Sequence, residues 1–280
     1  VVLYYRGSLS SCNYACPYCP FAKTRHSRQQ LQQDRQELSR FSNWVEAYSQ
    51  PLSILFTPWG EGLIHAHYRQ ALVRLSQLPQ IQQVCIQTNL SAPLHDLAQA
   101  DPSRLALWTT YHPDQVPLQK FLGQCQQLSS MSIPYSVGVV GLKEHFAAIE
   151  ELRQSLPPQV YLWINAYKRQ PDYYQGNDIE RLQKIDPWFF LNLPRYRSLG
   201  QDCQAGRNHF TVDGDGQIRR CHFVDQPLAN LYQDPPQAWL EPSPCPQATC
   251  GCYIGYIHQE KLALQTLYGR NLLARIPSSW

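Results

Sequence analysis

Short apolar runs alternate with longer stretches in which apolar residues recur every three or four positions. Val1–Tyr5, Leu52–Phe56, Gln83–Gln87, Leu105–Thr110, Tyr135–Val140 and Val160–Ile164 read as strands. Between them lie stretches of helical period. The clearest is 28–48, where Leu31, Leu38, Phe41, Val45 and Tyr48 fall on one face. Others lie near 64–77, 93–99, 116–129, 142–154 and 177–185. Strand and helix taking turns six times predicts a parallel sheet with helical crossovers. No repeat of solenoid length is present.

The texture changes after Pro194. Phe210–Val212 and Gln217–Cys221 flank Asp213-Gly214-Asp215-Gly216, whose residue types suit a tight hairpin turn. The Pro-rich stretch 227–246 has little periodicity. A boundary near 195–202 divides the chain into 1–195 and 196–280. The second part is loop-rich and is expected to need a metal cluster in place of a core of its own.

The chain has 280 residues, 43% of them hydrophobic, enough for a sizeable core. No apolar run approaches a membrane span, and the N-terminal apolar stretch is too short for a signal peptide. The net charge is +3 with no basic or acidic block, so neither nucleic acid nor a membrane is implied as a partner.

The ten cysteines change the picture more. Eight fall in two groups, Cys12, Cys16, Cys19 and Cys203, Cys221, Cys245, Cys250, Cys252, while Cys85 and Cys125 sit alone in apolar segments as small core residues. Clustering at ligand spacing favours metal in a reducing, cytoplasmic setting over disulfides. Cys12, Cys16 and Cys19 follow the first strand at spacing C-x3-C-x2-C. Three thiolates can hold three irons of a [4Fe–4S] cluster and leave the fourth open to a substrate. The competing reading is a structural zinc site, for which His26 is the nearest extra ligand. Lys23, Arg25 and His26 otherwise read as a solvated loop.

Other chemistry-bearing residues follow later strands: Trp59-Gly60-Glu61, Thr88-Asn89, Tyr111-His112-Pro113, Gly138-Val139-Val140-Gly141 and Asn165. In a parallel barrel all would line one mouth, at the carboxyl ends of the strands.

These motifs resemble the radical S-adenosylmethionine (SAM) superfamily. The loop Cys12-Asn13-Tyr14-Ala15-Cys16-Pro17-Tyr18-Cys19, with aromatic Tyr18 before the last cysteine, is similar to its signature. Trp59-Gly60-Glu61 resembles its Gly-Gly-Glu segment, with Trp in place of the first Gly. Val137–Glu144 is similar to its adenine-side stretch but one residue short. The resemblance implies a partial (β/α)6 TIM-like barrel over about residues 1–190, a cluster on Cys12, Cys16 and Cys19, and SAM contacts from Tyr18, Gly60, Glu61, Asn89, His112, Val140 and Asn165. It implies reductive cleavage of SAM to a 5′-deoxyadenosyl radical that abstracts a substrate hydrogen, with an electron donor of flavodoxin or ferredoxin type.

The hairpin between Cys203 and Cys221, followed by Cys245, Cys250 and Cys252, resembles the SPASM and twitch extensions. These carry auxiliary [4Fe–4S] clusters. The five cysteines are fewer than the full SPASM set, and Cys250-Gly251-Cys252 is tighter than the usual spacing. One auxiliary cluster is implied, on Cys203, Cys221, Cys250 and either Cys245 or Cys252; zinc is the alternative. The resemblance points to modification or backbone splicing of a ribosomally made peptide, by direct docking or through a separate recognition protein. The alternatives are a twitch-type dehydrogenase of a small metabolite and a non-enzymatic iron–sulfur or zinc module that carries electrons. No general acid or radical quencher stands out.

Overall fold

In a computed structural model, residues 1–280 are described except 22, 23, 241 and 243. Lys23 therefore lies outside the described residues. Six strands form the body of the sheet: β1 Val2–Arg6, β2 Leu52–Phe56, β3 Ile81–Thr88, β4 Leu105–Tyr111, β5 Tyr135–Val140 and β6 Leu162–Asn165. They lie side by side in sequence order and all pair in parallel. The crossovers carry helices α1 Arg28–Ala47, α2 Ala66–Ser76, α3 Leu118–Ser130 and α4 Phe146–Ser155. Helices α5 Gly176–Gln183 and α6 Phe189–Asn192 follow β6. The sheet stays open, so the architecture is the partial (β/α)6 barrel.

Two expected helices come out differently. The stretch 93–99 forms only a 3₁₀ turn, His95–Gln99, held between Pro93 and the Asp101-Pro102 pair that ends it. The stretch 142–154 is split into a 3₁₀ turn at Lys143–His145 and then α4.

Strand alternation sorts the core into two clusters. Leu3, Tyr5, Ile54, Phe56, Val84, Ile86, Leu107, Val137, Val139 and Ile164 face the helices. Their in-register neighbours Tyr4, Leu55, Cys85, Ala106, Trp108 and Trp163 face the concave side. Cys125 packs in the first cluster, so both lone cysteines are core residues. Helix α1 begins at a capping box, with Ser27 and Gln30 satisfying each other's backbone N–H. It buries Leu38, Phe41 and Val45 against the sheet. It also buries two carboxylates. Asp34 accepts hydrogen bonds from the Leu9 N–H, the Tyr68 hydroxyl and His67, and Glu37 accepts from the Ser8 N–H. The backbone leading into the cysteine loop is thus anchored to α1.

The C-terminal part adds β7 Tyr196–Arg197, β8 His209–Asp213, β9 Gln217–Arg219, β10 Pro227–Asn230 and β11 Thr249–Cys250, with helices α7 Tyr253–Tyr256 and α8 Leu264–Tyr268. The hairpin β8–β9 forms as expected, with Gly216 at φ +84 where a Cβ would meet the Tyr232 ring at 2.4 Å. β8 also pairs in parallel with β1, so the nine-stranded order is β10-β9-β8-β1-β2-β3-β4-β5-β6. Pro227–Asn230 is a correction to the aperiodic reading of 227–246: it is an edge strand, where a leading Pro costs no ladder bond. β7 and β11 form a separate two-stranded ribbon.

Among the described residues the cysteine-rich part builds no separate core; its apolar side chains join the two clusters of the barrel. Tyr253, Ile254, Tyr256, Ile257, Leu264, Tyr268, Leu272, Leu273 and Ala274 cover the concave face of the barrel. Their spacing shows no single period because they come from two short helices and the turns between them. Among the described residues no helix is long and apolar enough to cross a membrane.

Candidate active site

The loops after β1, β2, β3 and β4 meet in a cavity of about 240 Å³ lined by Cys12, Cys16, Cys19, Trp59, Gly60, Glu61, Thr88, Asn89 and His112, among others. The loop after β1 is a tight one. The Cys19 N–H donates to the Cys16 carbonyl at 3.1 Å, and Cys12 Sγ accepts from the Tyr14 N–H at 3.4 Å and from Asn89 Nδ2 at 3.7 Å. Burial pushes the Cys12 thiol up to about 11, opposed by the Tyr14 N–H. Bound iron, by displacing the proton, would remove that cost.

Backbone contact locks the second loop to the first. The Glu61 N–H donates to the Ser11 carbonyl at 3.0 Å. A Cβ on Gly60 would lie 1.8 Å from that carbonyl oxygen, so only glycine permits the approach. The Glu61 carboxylate is 3% exposed and accepts from Thr88 Oγ1 (2.7 Å), the Leu63 N–H (3.0 Å) and the Asn89 N–H (2.6 Å). Three of its four lone-pair directions are used, and one remains for a ligand in the cavity it lines. Burial raises its pKa to about 7 against these three donors.

His112 buttresses the loop. Its Nδ1 lies 2.8 Å from the Tyr18 hydroxyl and 3.4 Å from Cys16 Sγ, and its ring stacks on Tyr18. Burial, aided by His145, pushes its pKa down to about 4, so it is neutral at pH 7. Tyr18 thus supports the cysteine cavity through His112 rather than lining it. His26 pairs with Ser10 Oγ at 2.8 Å, upstream of the cysteines, and Arg25 is exposed.

Val140 and Asn165, the residues furthest along the barrel, do not reach the cysteine cavity. They line an adjoining chamber of about 380 Å³, which shares Phe21, Pro58, Trp59, Gln87 and Thr110 with it. Phe21 and Trp59 stack at 5.6 Å and 6° over the common rim. The far wall holds Lys168, Phe223, Gly251 and Cys252, and Arg275, Trp108, Trp163 and Tyr253 complete the lining. A third cavity of about 540 Å³, against the β8–β9 hairpin, also includes Arg6 and Trp59.

The second cysteine group converges beside this chamber. Burial raises the Cys221 thiol to about 11, and Cys245 and Cys203 raise it further. Burial likewise raises Cys250 to about 12, with Cys221, Cys252 and Cys203 adding to it. Cys203, Cys221, Cys245 and Cys250 are therefore electrostatic neighbours. Cys252 neighbours Cys250 as well, but it also lines the chamber and faces Lys168, Arg6 and Arg275. None of the ten cysteines is in a disulfide. In the first group the three thiols line one cavity. Among the described residues no three or more Cys, His, Asp or Glu are arranged to hold a single ion. Three thiols around the cavity fit a cluster whose irons sit at separate corners.

Sequence reasoning missed the α1 carboxylates and Arg275. Asp34 and Glu37 lie at i, i+3 on the buried face of α1, a legible sign of buried charge with a purpose. Arg275 has no sequence signal.

No protein-family model and no curated protein matches the sequence. Solved structures do match. Hexahistidine-tagged anSMEcpe with bound AdoMet, a radical SAM enzyme, aligns with a TM-score of 0.57 over 87% of this chain and 80% of its own, at 15% identity. Native anSMEcpe with bound AdoMet and Kp18Cys peptide aligns with a TM-score of 0.57 over 87% and 81%, at 13% identity. At this identity the likeness is one of fold: the chain has the partial-barrel fold of radical SAM enzymes.

Proposed function

We propose that this protein is a radical SAM enzyme that abstracts hydrogen from a peptide. The observation that carries this reading is the meeting of Cys12, Cys16 and Cys19 with Glu61 and Asn89 at one cavity, open to a chamber that runs to the second cysteine group. When bound, a [4Fe–4S] cluster on the three cysteines together with SAM supplies a carbon radical by one-electron reduction.

The chain's own residues do the rest. Glu61 accepts a hydrogen bond from the methionyl amino group through its remaining lone pair. Asn89, held by Asn13 and aimed at Cys12, orients the ligand beside the cluster loop. Val140 and Asn165 flank the adenosyl part on the chamber wall. The Phe21–Trp59 stack shields the mouth from water. Residues 1–195 form the SAM-binding part. Residues 196–280 carry an auxiliary cluster on Cys203, Cys221, Cys245 and Cys250, leaving Cys252 as a chamber residue.

Two observations support a peptide. The three cavities adjoin at Trp59, which leaves room around that ring for a substrate longer than a small metabolite. The similar structures of anSMEcpe include complexes with the Cp18Cys and Kp18Cys peptides. An electron donor of flavodoxin or ferredoxin type completes the reaction.

Anaerobic reconstitution with iron and sulfide, followed by dithionite and SAM, tests the reading. The expected product is 5′-deoxyadenosine, abolished when Cys12, Cys16 and Cys19 are changed to Ala. Product that persists in the triple variant sinks it.

A further inference from the structure

Arg275 is 1% exposed, yet it lines the chamber between the two cysteine groups. Its guanidinium carbon lies 3.3 Å from the Trp108 ring centroid and 3.2 Å from those of Trp163 and Tyr253. The three centroids stand 5.9, 5.4 and 5.6 Å apart with steeply inclined planes, so the cation sits at the centre of a triangular aromatic cage. The backbone is pinned beneath it: Ser136 Oγ donates to the Ala274 carbonyl, and Arg275 itself is at φ +55.

Cation–π contact offsets part of the cost of burying this charge, but it satisfies no N–H. Among the described residues neither Nε nor Nη1 has a hydrogen-bond partner. A buried charge without a hydrogen-bonding counterpart is expensive, and such a group calls for an explanation. Apart from the Cys252 thiol, which also faces it, the chamber lining supplies no acidic group to meet it. The chamber is lined by Arg6, Lys168 and Arg275, and among its described lining residues there is no Asp, Glu or His. Asp186, which burial raises to about 6 with Arg275 as the weakest opposing cause, is engaged elsewhere, by Tyr161 and the Ile164 and Trp188 N–H groups. Lys168 is held on the wall by the Gly251 carbonyl at 2.8 Å.

We infer that the chamber reads a carboxylate of the substrate, with Arg275 as its principal donor, Lys168 as a second cation and the aromatic cage fixing the guanidinium. This rests on the peptide-modifying reading above and narrows it: the peptide presents an acidic side chain or its C-terminal carboxylate next to the position where hydrogen is taken. Guanidinium donors suit a carboxylate better than any neutral amide.

The test uses the anaerobically reconstituted full chain with SAM, titrated by calorimetry with three small probes. N-acetylglutamate amide carries a side-chain carboxylate, N-acetylglycine a terminal one, and N-acetylglutamine amide neither. At least one carboxylate probe should bind about 10-fold or more tightly than the neutral probe, the loss expected for a charge-assisted bond. Which one binds assigns the source of the carboxylate. Arg275→Gln should remove that preference and Lys168→Met should weaken it, with iron content measured alongside. Equal binding of all three probes to the unaltered protein overturns the inference without recourse to any variant that fails to fold. Preference retained in Arg275→Gln, with the change appearing only in the electron paramagnetic resonance spectrum of the clusters, also overturns it, making Arg275 a counter-charge to iron. Formation of 5′-deoxyadenosine without carboxylate preference fails the inference alone. Carboxylate preference without iron uptake fails the functional reading instead.

Discussion

Glu61 supports the fold and faces the ligand at once, and the two duties conflict. Three donors hold its carboxylate, but burial still raises its pKa to about 7. Below that pH most molecules carry a neutral carboxyl, a poorer acceptor for an amino group; above it the carboxylate is ionised. SAM affinity should therefore rise about 10-fold between pH 6 and pH 8 as the ionised acceptor appears, a step worth one charge-assisted hydrogen bond. Equilibrium dialysis with labelled SAM measures it. Glu61→Gln should bind more weakly and with a flatter profile, and an unchanged slope in that variant would assign the pH effect to another group. Residues at this scale were legible where a motif spaced them. Cys12, Cys16, Cys19 and Glu61 follow strand ends and arrive at one cavity. Arg275 was not legible, because its cage is built from β4, β6 and α7, whose adjacency is set by folding alone.

The elements hold the site through backbone as much as side chain. The close pass of Gly60 over Ser11 joins the loop after β2 to the cysteine loop, and Asp34 and Glu37 of α1 fix the residues before it. Gly60→Ala puts a methyl carbon inside the Ser11 carbonyl and must part the two loops. The expected result is a folded protein that retains less than about half of its N-terminal iron, since the barrel core lies elsewhere. Circular dichroism and iron analysis together check this; full iron retention would show that the approach is dispensable. Phe41→Ala, by contrast, removes a fully buried ring between Tyr5 and Phe56. It should cost about 3–5 kcal/mol of stability in chemical denaturation. The strands were readable because each is a short apolar run with a buried face on either side. The turn at His95–Gln99 was not, because apolar Leu94 and Leu97 mimic helical spacing in a segment too short and Pro-bounded to propagate a helix.

At the scale of the whole molecule, the cysteine loop and the hairpin between Cys203 and Cys221 belong to one sheet, while Cys250 lies on the separate β7–β11 ribbon. β8 lies against β1, so the strand that delivers Cys12 and the strand flanked by Cys203 and Cys221 are hydrogen-bonded neighbours. The concave face between them is closed by α7, α8 and the tail through Arg275. Sequence pattern could not reveal this pairing, since a parallel neighbour about 200 residues away leaves no local trace; it shows only in the assembled sheet. The arrangement makes the fate of each cysteine separable by iron count. With one cluster in each group, the reconstituted protein should hold about eight irons. Cys221→Ala removes a member of the convergent set and should leave about four, together with the SAM-responsive signal of the N-terminal cluster. Cys252→Ala should keep about eight, because that thiol lines the chamber near Lys168 and Arg275. If Cys252→Ala halves the iron and Cys245→Ala does not, the auxiliary ligand set includes Cys252. The chamber wall would then be the cluster itself rather than a free thiol, and a carboxylate held by Arg275 would sit beside iron, within the reach of an electron leaving the substrate.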